Sequence, residues 1–302
     1  MRFIVADWGT SRFRAYLVED GAILDRVASD EGVSALKKGE HQRVFRRHCG
    51  QWLEAEPDAP VLLVGMVGSR EGWVEAPYAA CPAGPDDIAR ALIAVDLGDS
   101  RCGYIVPGLC CEPQPGAVDV MRGEETLVLG TGISDGLVCL PGTHPKWVEM
   151  QGGRIERFAT YFTGELYALL RHHSMIGRPA TEPEDLSGFA LGLDAAERNS
   201  GAGDCRVGLL HLIFGARAAT VTRRLSPAAL GPYISGLLTG DEINGAFSLL
   251  AKPELLTVVA APRRAELLSQ ALKRHGVETV FEAPEEALIG GLRRIVGQLD
   301  RR

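Results

Sequence analysis

Apolar and polar positions are patterned from the first residues of the chain. Phe3-Ile4-Val5-Ala6 is a run of strand formers that ends in Asp7, turns through Gly9-Thr10-Ser11, and resumes at Phe13 with apolar residues alternating against polar ones. This predicts a hairpin with a polar, backbone-rich tip. Asp20-Gly21 then signals a turn into a third strand over 21–28. Over 39–55, Val44, Phe45, Cys49, Trp52 and Leu53 recur at helical spacing. Pro60-Val61-Leu62-Leu63-Val64-Gly65 is a continuous apolar run, the pattern of a strand covered on both faces. A helix over 85–95, a strand over 103–106 and a helix over 117–130 are expected next.

A second group of three strands follows, over 136–140, 146–150 and 154–158, and leads into a helix over 163–174. The strand-strand-strand-helix order thus occurs twice, which predicts an α/β protein of two related lobes, 1–116 and 117–302. Residues 175–250 read as mainly helical, with polar or Gly/Pro breaks at 177–188 and 199–204. A buried strand over 255–261, a helix over 263–275 closed by Gly276, a short strand over 277–281 and a helix over 285–298 complete the chain. Ala287, Gly290 and Gly291 give the last helix a small-residue face suited to close packing, and it can return to the first lobe.

Composition narrows the class. The chain has 302 residues, of which 46% are hydrophobic, enough for a sizeable core. A net charge of −7 supplies no basic face, so nucleic acid is not an expected partner. Arg43, Arg46 and Arg47 read as a solvated helix face offset by nearby acids. The seven cysteines, at 49, 81, 102, 110, 111, 139 and 205, form no Cys-x-x-Cys pair, and the scattered odd set fits a reducing cytoplasm. Cys110-Cys111 is read as a pair of buried small apolar residues. No apolar run is long enough to cross a bilayer, and the N-terminus begins a strand at once, so neither membrane insertion nor secretion is expected. A homodimer remains open.

The chemistry concentrates in a few stretches. The chain contains no Gly-x-x-x-x-Gly-Lys-Ser/Thr run and no Gly-x-Gly-x-x-Gly after a strand. It has instead two separated turns rich in Gly and Thr, Asp7-Trp8-Gly9-Thr10-Ser11 and Leu140-Pro141-Gly142-Thr143-His144-Pro145-Lys146, each joining the first two strands of one predicted lobe. Such tips can hold a polyphosphate by N–H and hydroxyl donors, and Asp7 can organise a hydrated Mg²⁺. Gly130-Thr131-Gly132 reads as a helix stop. Asp119 stands near the expected start of the 117–130 helix, either as an N-cap or as the base for an acceptor hydroxyl. Glu124 and Glu125 are metal or substrate contacts or part of a solvated face. The loop after the 60–65 strand carries Ser69 and Arg70; Arg70 is placed to grip a carboxylate through a two-pronged hydrogen bond, or it is a surface ion pair.

These stretches, taken in order, resemble the 2-dehydro-3-deoxygalactonokinase family. The resemblance rests on Asp7-Trp8-Gly9-Thr10-Ser11 with Arg14-Ala15, on Gly65-Met66-Val67-Gly68-Ser69-Arg70-Glu71-Gly72-Trp73, and on Asp119-Val120-Met121-Arg122-Gly123-Glu124-Glu125-Thr126. It continues through Leu140–Val148, Tyr161–Tyr167, Phe214–Arg217 and Ser235–Glu242, and so covers essentially the whole chain. It implies the sugar kinase, actin and heat-shock-chaperone superfamily: two ribonuclease-H-like lobes, mixed sheets flanked by helices, with ATP and sugar in the cleft and lobe closure excluding water. By position, Asp7 with Gly9, Thr10 and Ser11 matches the first phosphate motif, and Gly142, Thr143 and His144 match the second. Asp119 matches the catalytic base, and Ser69, Arg70 and Glu124 fall to the sugar. The strand over 257–261 and the following helix take the place of the adenosine motif.

The implied reaction is ATP- and Mg²⁺-dependent phosphorylation of the C6 hydroxyl of 2-dehydro-3-deoxy-D-galactonate, in galactonate catabolism. The alternatives are a kinase for another acidic or amino sugar, and a non-catalytic actin-like ATP-binding module or sugar sensor.

Overall fold

A computed structural model describes residues 1–200 and 207–299; Cys205 and most of the expected break at 199–204 lie outside the described residues. Arg2–Trp8 (β1), Phe13–Glu19 (β2) and Ala22–Ser29 (β3) form the predicted antiparallel meander. Helix α1 (His41–Ala55) and strand β4 (Val61–Gly65) follow, and β4 pairs in parallel with β1. Then come β5 (Tyr78–Ala80), α2 (Pro85–Arg90), β6 (Ile93–Gly98), β7 (Arg101–Ile105), β8 (Gly108–Gln114), β9 (Ala117–Met121) and α3 (Glu124–Gly130). The second group comprises β10 (Gly136–Leu140), β11 (Lys146–Gln151), β12 (Arg154–Thr160) and α4 (Thr163–His173). Helices α5 (Ser187–Ser200), α6 (Leu209–Val221) and α7 (Pro227–Leu250) precede β13 (Leu255–Val259), α8 (Pro262–Arg274), β14 (Glu278–Glu282) and α9 (Pro284–Leu299).

Two large sheets share one strand logic. The first runs β3-β2-β1-β4-β7-β6, and the second runs β12-β11-β10-β13-β14, so in each the first strand of a meander lies beside the strand that follows a helical connection. The internal repeat read from the chain is therefore a repeat of topology. The fold is α/β, with mixed sheets flanked by helices. A small third sheet, β5-β8-β9, is an addition to this scheme.

Burial explains the strands. Phe3, Ile4, Val5 and Ala6 are fully buried, as the continuous run in β1 requires of a strand covered on both faces. Val44, Phe45, Cys49, Trp52 and Leu53 of α1 join Ile4, Ala6, Phe13 and Leu63 in one apolar cluster. Arg43 pairs with Glu40, Arg46 with Asp99 and Arg47 with Glu31, so the basic face of α1 is locally neutralised.

Contacts along the chain divide it into two compact units. The first comprises Met1–Val138, Val148–Phe158 and Glu282–Arg302; the second comprises Cys139–Trp147 and Ala159–Phe281. This partition assigns 117–138 to the first unit, whereas the sequence reading placed a boundary at 116/117. Within the first unit, α3 and α9 pack with their backbones nearly touching: a Cβ on Gly130 would stand 1.7 Å from the carbonyl oxygen of Ala287. The small-residue face of α9 serves this contact.

Two expected helices are corrected. The helix expected over 85–95 ends at Arg90, because the chain turns at Gly98-Asp99-Ser100, all three with positive φ, and 93–98 pairs antiparallel with β7. The helix expected over 117–130 begins only at Glu124. Residues 117–121 form a strand instead, opposite Leu109, Cys110 and Cys111 of β8, and Gly116 turns the hairpin at φ 78°. Asp119 is therefore a strand residue and caps no helix. Cys110 and Cys111 are half-buried in that hairpin rather than fully enclosed.

Candidate active site

The β1–β2 tip is built by its neighbours as much as by its own residues. Gly9 N–H donates to Arg12 C=O at 2.9 Å and closes the turn. The Gly9 and Thr10 carbonyls accept from the Val33 and Ser34 N–H groups at 3.0 Å each, and the Ser34 hydroxyl adds 2.8 Å to Thr10 C=O. Gly32 permits this clamp, since a Cβ there would stand 2.3 Å from Thr10 C=O. With the carbonyls engaged behind it, the tip exposes Thr10 and Ser11. Their N–H and hydroxyl donors have no partner among the described residues, the arrangement a phosphate oxygen requires.

Asp7 stands at the end of β1, directly opposite Arg14 in β2, whose Nη2 lies 2.5 Å from Asp7 Oδ2. Burial raises the Asp7 pKa, and the Arg14 charge opposes that rise. The other carboxylate oxygen looks toward Gly65, where β4 ends at φ 86°; a Cβ on Gly65 would lie 3.6 Å from Asp7 Oδ1 and 3.0 Å from Trp8 C=O. A side chain at 65 would therefore fill the space beside the carboxylate.

A cavity of about 230 Å³ in the first unit collects these groups. Its wall includes Asp7, Gly9, Arg14, Gly65, Arg122 and Glu124. Glu124 opens α3, after Gly123 at φ 102°, and its carboxylate accepts Arg122 N–H at 3.0 Å. Glu125 turns inward and is fully buried; it accepts Gly123 N–H at 2.7 Å, while its other oxygen has no partner. Desolvation, helped by the neighbouring Glu124 charge, pushes the Glu125 pKa up to about 8, so it is largely protonated at neutral pH.

The remaining sequence-predicted residues are distributed as follows. Asp119 is on β9, with its carboxylate accepting Val120 N–H at 2.7 Å, and it does not line this cavity. The Arg70 side chain is 84% exposed and its nearest acid is Glu75 at 3.8 Å. The Ser69 hydroxyl is buried without a hydrogen-bond partner.

The second unit presents its own tip. Thr143 and His144 are exposed; Thr143 C=O accepts Glu165 N–H at 3.0 Å, and His144 Nε2 lies 2.5 Å from Glu165 Oε2. The first turn of α4 thus holds the tip from below. Beside Gly142 opens a cavity of about 300 Å³, walled by Leu238, Thr239 and Ser235 of α7 and by Arg264, Leu267 and Leu268 of α8. Glu242 is buried in its wall, receives Trp147 Nε1–H at 2.9 Å, and is pushed by burial to a pKa of about 7. The cavity is mostly apolar with a few convergent polar groups, the character of a small-molecule pocket.

Four features escaped the sequence reading. Arg14 had a signal, since the predicted hairpin register sets it against Asp7. Gly32 had none, because only the folded clamp requires it. Arg122 was obscured by the helix expected over 117–130. The α7–α8 pocket joins segments about 25 residues apart through tertiary packing. Among the described residues there is no group of three or more His, Cys, Asp or Glu arranged to hold a metal, and no helix long and apolar enough to cross a membrane.

Known proteins resemble this chain over nearly its whole length. Residues 7–295 match the family model of 2-keto-3-deoxy-galactonokinase. The 2-dehydro-3-deoxygalactonokinase of Escherichia coli (strain K12) is 33% identical over 297 residues, covering 97% of this chain and 97% of that one. A crystal structure of a Sinorhizobium meliloti protein assigned to the same activity superposes with a TM-score of 0.84 at 29% identity, covering 98% of this chain and 99% of that one. The activator of the 2-hydroxyisocaproyl-CoA dehydratase from Clostridium difficile with bound ADPNP shares the fold at 11% identity, with a TM-score of 0.51 over 100% of this chain and 97% of that one. The chain belongs to the 2-keto-3-deoxy-galactonokinase family, a family of carbohydrate kinases.

Proposed function

We propose that the protein transfers the γ-phosphoryl group of ATP to the C6 hydroxyl of 2-dehydro-3-deoxy-D-galactonate, giving the 6-phosphate and ADP in galactonate catabolism. The observation that carries the reading is one cavity, in a chain of this family, whose wall holds both Asp7 beside the β1–β2 tip and Glu124 at the head of α3. Phosphoryl transfer needs phosphate donors, a metal carboxylate and a group that takes the hydroxyl proton. The first unit supplies a candidate for each.

Thr10 and Ser11, with Gly9 shaping their turn, donate to phosphate oxygens. The exposed Gly142-Thr143-His144 tip does the same, and the α7–α8 pocket takes the nucleoside. Asp7 suits Mg²⁺: one oxygen is held by Arg14 and the other borders the space left by Gly65. A single carboxylate beside open space fits an ion that keeps most of its waters and is otherwise held by substrate phosphates. When bound, the ion supplies charge neutralisation on the transferring phosphate.

Glu124 is the base in this reading. It stands at the head of the helix, the position that the resemblance gave to Asp119, and it lines the cavity where Asp119 does not. As the bond from the C6 oxygen to phosphorus forms and the bridging P–O bond breaks toward ADP, the hydroxyl proton passes to the Glu124 carboxylate. Asp119 remains the alternative base. The sugar is held through the 65–73 loop, with Ser69 and Arg70 as the sequence-derived candidates. The test is a panel of keto-deoxy sugar acids and amino sugars with ATP, read as sugar-dependent ADP formation. The reading predicts a kcat/KM for 2-dehydro-3-deoxy-D-galactonate at least tenfold above the rest. A better amino sugar, or ATP binding without sugar-stimulated turnover, overturns it.

A further inference from the structure

The small third sheet carries a pair of thiols. Strand β5 runs parallel to β8 in the register Tyr78–Gly108, Ala79–Leu109 and Ala80–Cys110. One further step sets Cys81 against Cys111, and Cys81 N–H donates to Cys110 C=O at 2.9 Å, the bond a parallel ladder makes at that step. Side chains at directly paired positions share a face and adjoin: at the first pair, a Cβ on Gly108 would stand 2.6 Å from the Tyr78 ring. Three residues on, Cys81 and Cys111 meet on the opposite face. Their sulfurs are hydrogen-bonded there, with the Cys81 thiol as donor. Neighbouring strands lie about 4.8 Å apart, inside the roughly 4.4–6.8 Å between Cα atoms that a disulfide spans.

The other described cysteines lack this combination. Cys49 and Cys139 are buried, and desolvation holds both as thiols, Cys49 with its pKa pushed up to about 12. Cys102 is exposed on β7, and Cys110 alternates to the other face of β8 from Cys111. Cys81 and Cys111 are both half-buried, within reach of a small oxidant. The Cys111 thiol also donates to Phe158 C=O at 3.4 Å, which holds its sulfur in place. Its pKa is lowered, chiefly by the Cys81 hydrogen bond and against the opposing effect of burial; Asp119, its partner in β9, opposes the lowering and the Arg157 charge adds to it. The same contact raises the Cys81 pKa. Among the described residues no third His, Cys, Asp or Glu completes a metal site with them. A packing role explains two small half-buried side chains, but not two thiols set sulfur to sulfur with acidities driven apart.

We propose that Cys81 and Cys111 are a peroxide-reactive dithiol, in which Cys111 takes the oxidant and Cys81 resolves it as a reversible intrachain disulfide. The Cys111 sulfur attacks one oxygen of a hydroperoxide and the O–O bond breaks, giving the Cys111 sulfenic acid and, from hydrogen peroxide, one water. The Cys81 sulfur then displaces the hydroxyl from Cys111, its proton leaves with that oxygen as a second water, and the S–S bond forms. Two thiols are oxidised and one peroxide is reduced to two waters. A dithiol reductant returns both thiols by exchange. Prompt resolution by Cys81 keeps Cys111 from the sulfinic acid, a state such exchange does not reverse. Transient pairing of this kind is compatible with a compartment that otherwise keeps thiols reduced.

The full-length protein is treated with hydrogen peroxide, its remaining thiols are alkylated, and its unreduced peptides are mapped by mass, beside Cys81→Ser, Cys111→Ser and Cys110→Ser. Wild type and Cys110→Ser should each yield a cross-link between Cys81 and Cys111 that dithiothreitol removes. With a cyclic-diketone trap for sulfenic acid, Cys81→Ser should be labelled at Cys111 about tenfold faster than Cys111→Ser is labelled at Cys81. Without the trap, Cys81→Ser should accumulate sulfinic acid at Cys111 that dithiothreitol leaves in place, whereas the wild type recovers both thiols. The wild-type map stands by itself if a variant fails to fold. A wild type whose Cys81 and Cys111 stay open to alkylation while Cys102 is oxidised overturns the proposal, as does a cross-link to Cys110 in place of Cys111. Faster labelling at Cys81 overturns the assignment of the two roles.

Discussion

Arg14 Nη2 stands 2.5 Å from Asp7 Oδ2, across the cross-strand pair next to Trp8–Phe13, which closes the first hairpin at its polar end. Asp7 is half-buried, and desolvation drives its carboxyl toward the neutral form; the Arg14 charge is what opposes that. Replacing Arg14 by Met removes the opposition, so the Asp7 pKa climbs. Because the metal role needs the ionised form, the acid limb of the pH profile of kcat/KM for ATP should move to higher pH in Arg14→Met. An acid limb that stays in place separates Asp7 from the pH dependence.

The tip depends on a residue with no chemistry of its own. A methyl group at position 32 overlaps the Thr10 carbonyl and the Ser11 backbone at 2.3 Å. Gly32→Ala should therefore cost about 1–3 kcal/mol of stability and raise the KM for ATP. Gly50→Ala is the matched control: a Cβ at 50, inside α1, meets nothing within 4 Å, and the variant should gain up to about 1 kcal/mol. Chemical denaturation with ATP kinetics on both variants checks the pair.

Glu125 makes stability depend on pH. Its folded pKa, about 8, lies above the ordinary glutamate value of 4.5, so the folded protein binds more protons than the unfolded chain between those limits. Its contribution is complete below about pH 4.5 and is lost as pH rises toward 8, with a slope of up to about 1.4 kcal/mol per pH unit. Glu125→Gln should flatten this part of the stability profile, gaining on the wild type as pH increases. Equal slopes for the two proteins contradict the assignment.

The α7–α8 pocket is tested by filling it. Thr239→Trp places an indole in a cavity of about 300 Å³ and should raise the KM for ATP by tenfold or more, with the sugar KM nearly unchanged. A selective rise in the sugar KM instead removes the nucleoside from this pocket.

Much of this was legible in the chain because the signals are local. The alternation over 2–19 sets the hairpin, its register and the Asp7 tip; the unbroken apolar run over 61–65 sets the buried strand that ends at Gly65. The misreading of 117–123 has a physical cause. Val118 and Val120 alternate with Ala117 and Asp119 over only five residues, too short a span to outweigh the helical pattern of Glu124–Gly130 that follows directly. Pro115-Gly116 was the punctuation that separated them. That error concealed both Glu124 as the first residue of its helix and Arg122 as a wall residue. The α7–α8 pocket and the Gly32 clamp arise from tertiary approach, which no local period encodes.

The base assignment separates two residues five positions apart. Glu124→Gln should lower kcat by about 10²–10⁴-fold while leaving ATP binding intact, and Asp119→Asn should have the smaller effect. The reverse order returns the role to Asp119.

The most direct measurement of the central claim is the position of the phosphate in the product. The protein, ATP, Mg²⁺ and 2-dehydro-3-deoxy-D-galactonate are incubated together and followed by phosphorus–proton correlated NMR. The account predicts one new phosphomonoester coupled to the C6 methylene protons, formed with one ADP per sugar. A phosphate on any other carbon, or ADP formed without a sugar ester, contradicts it.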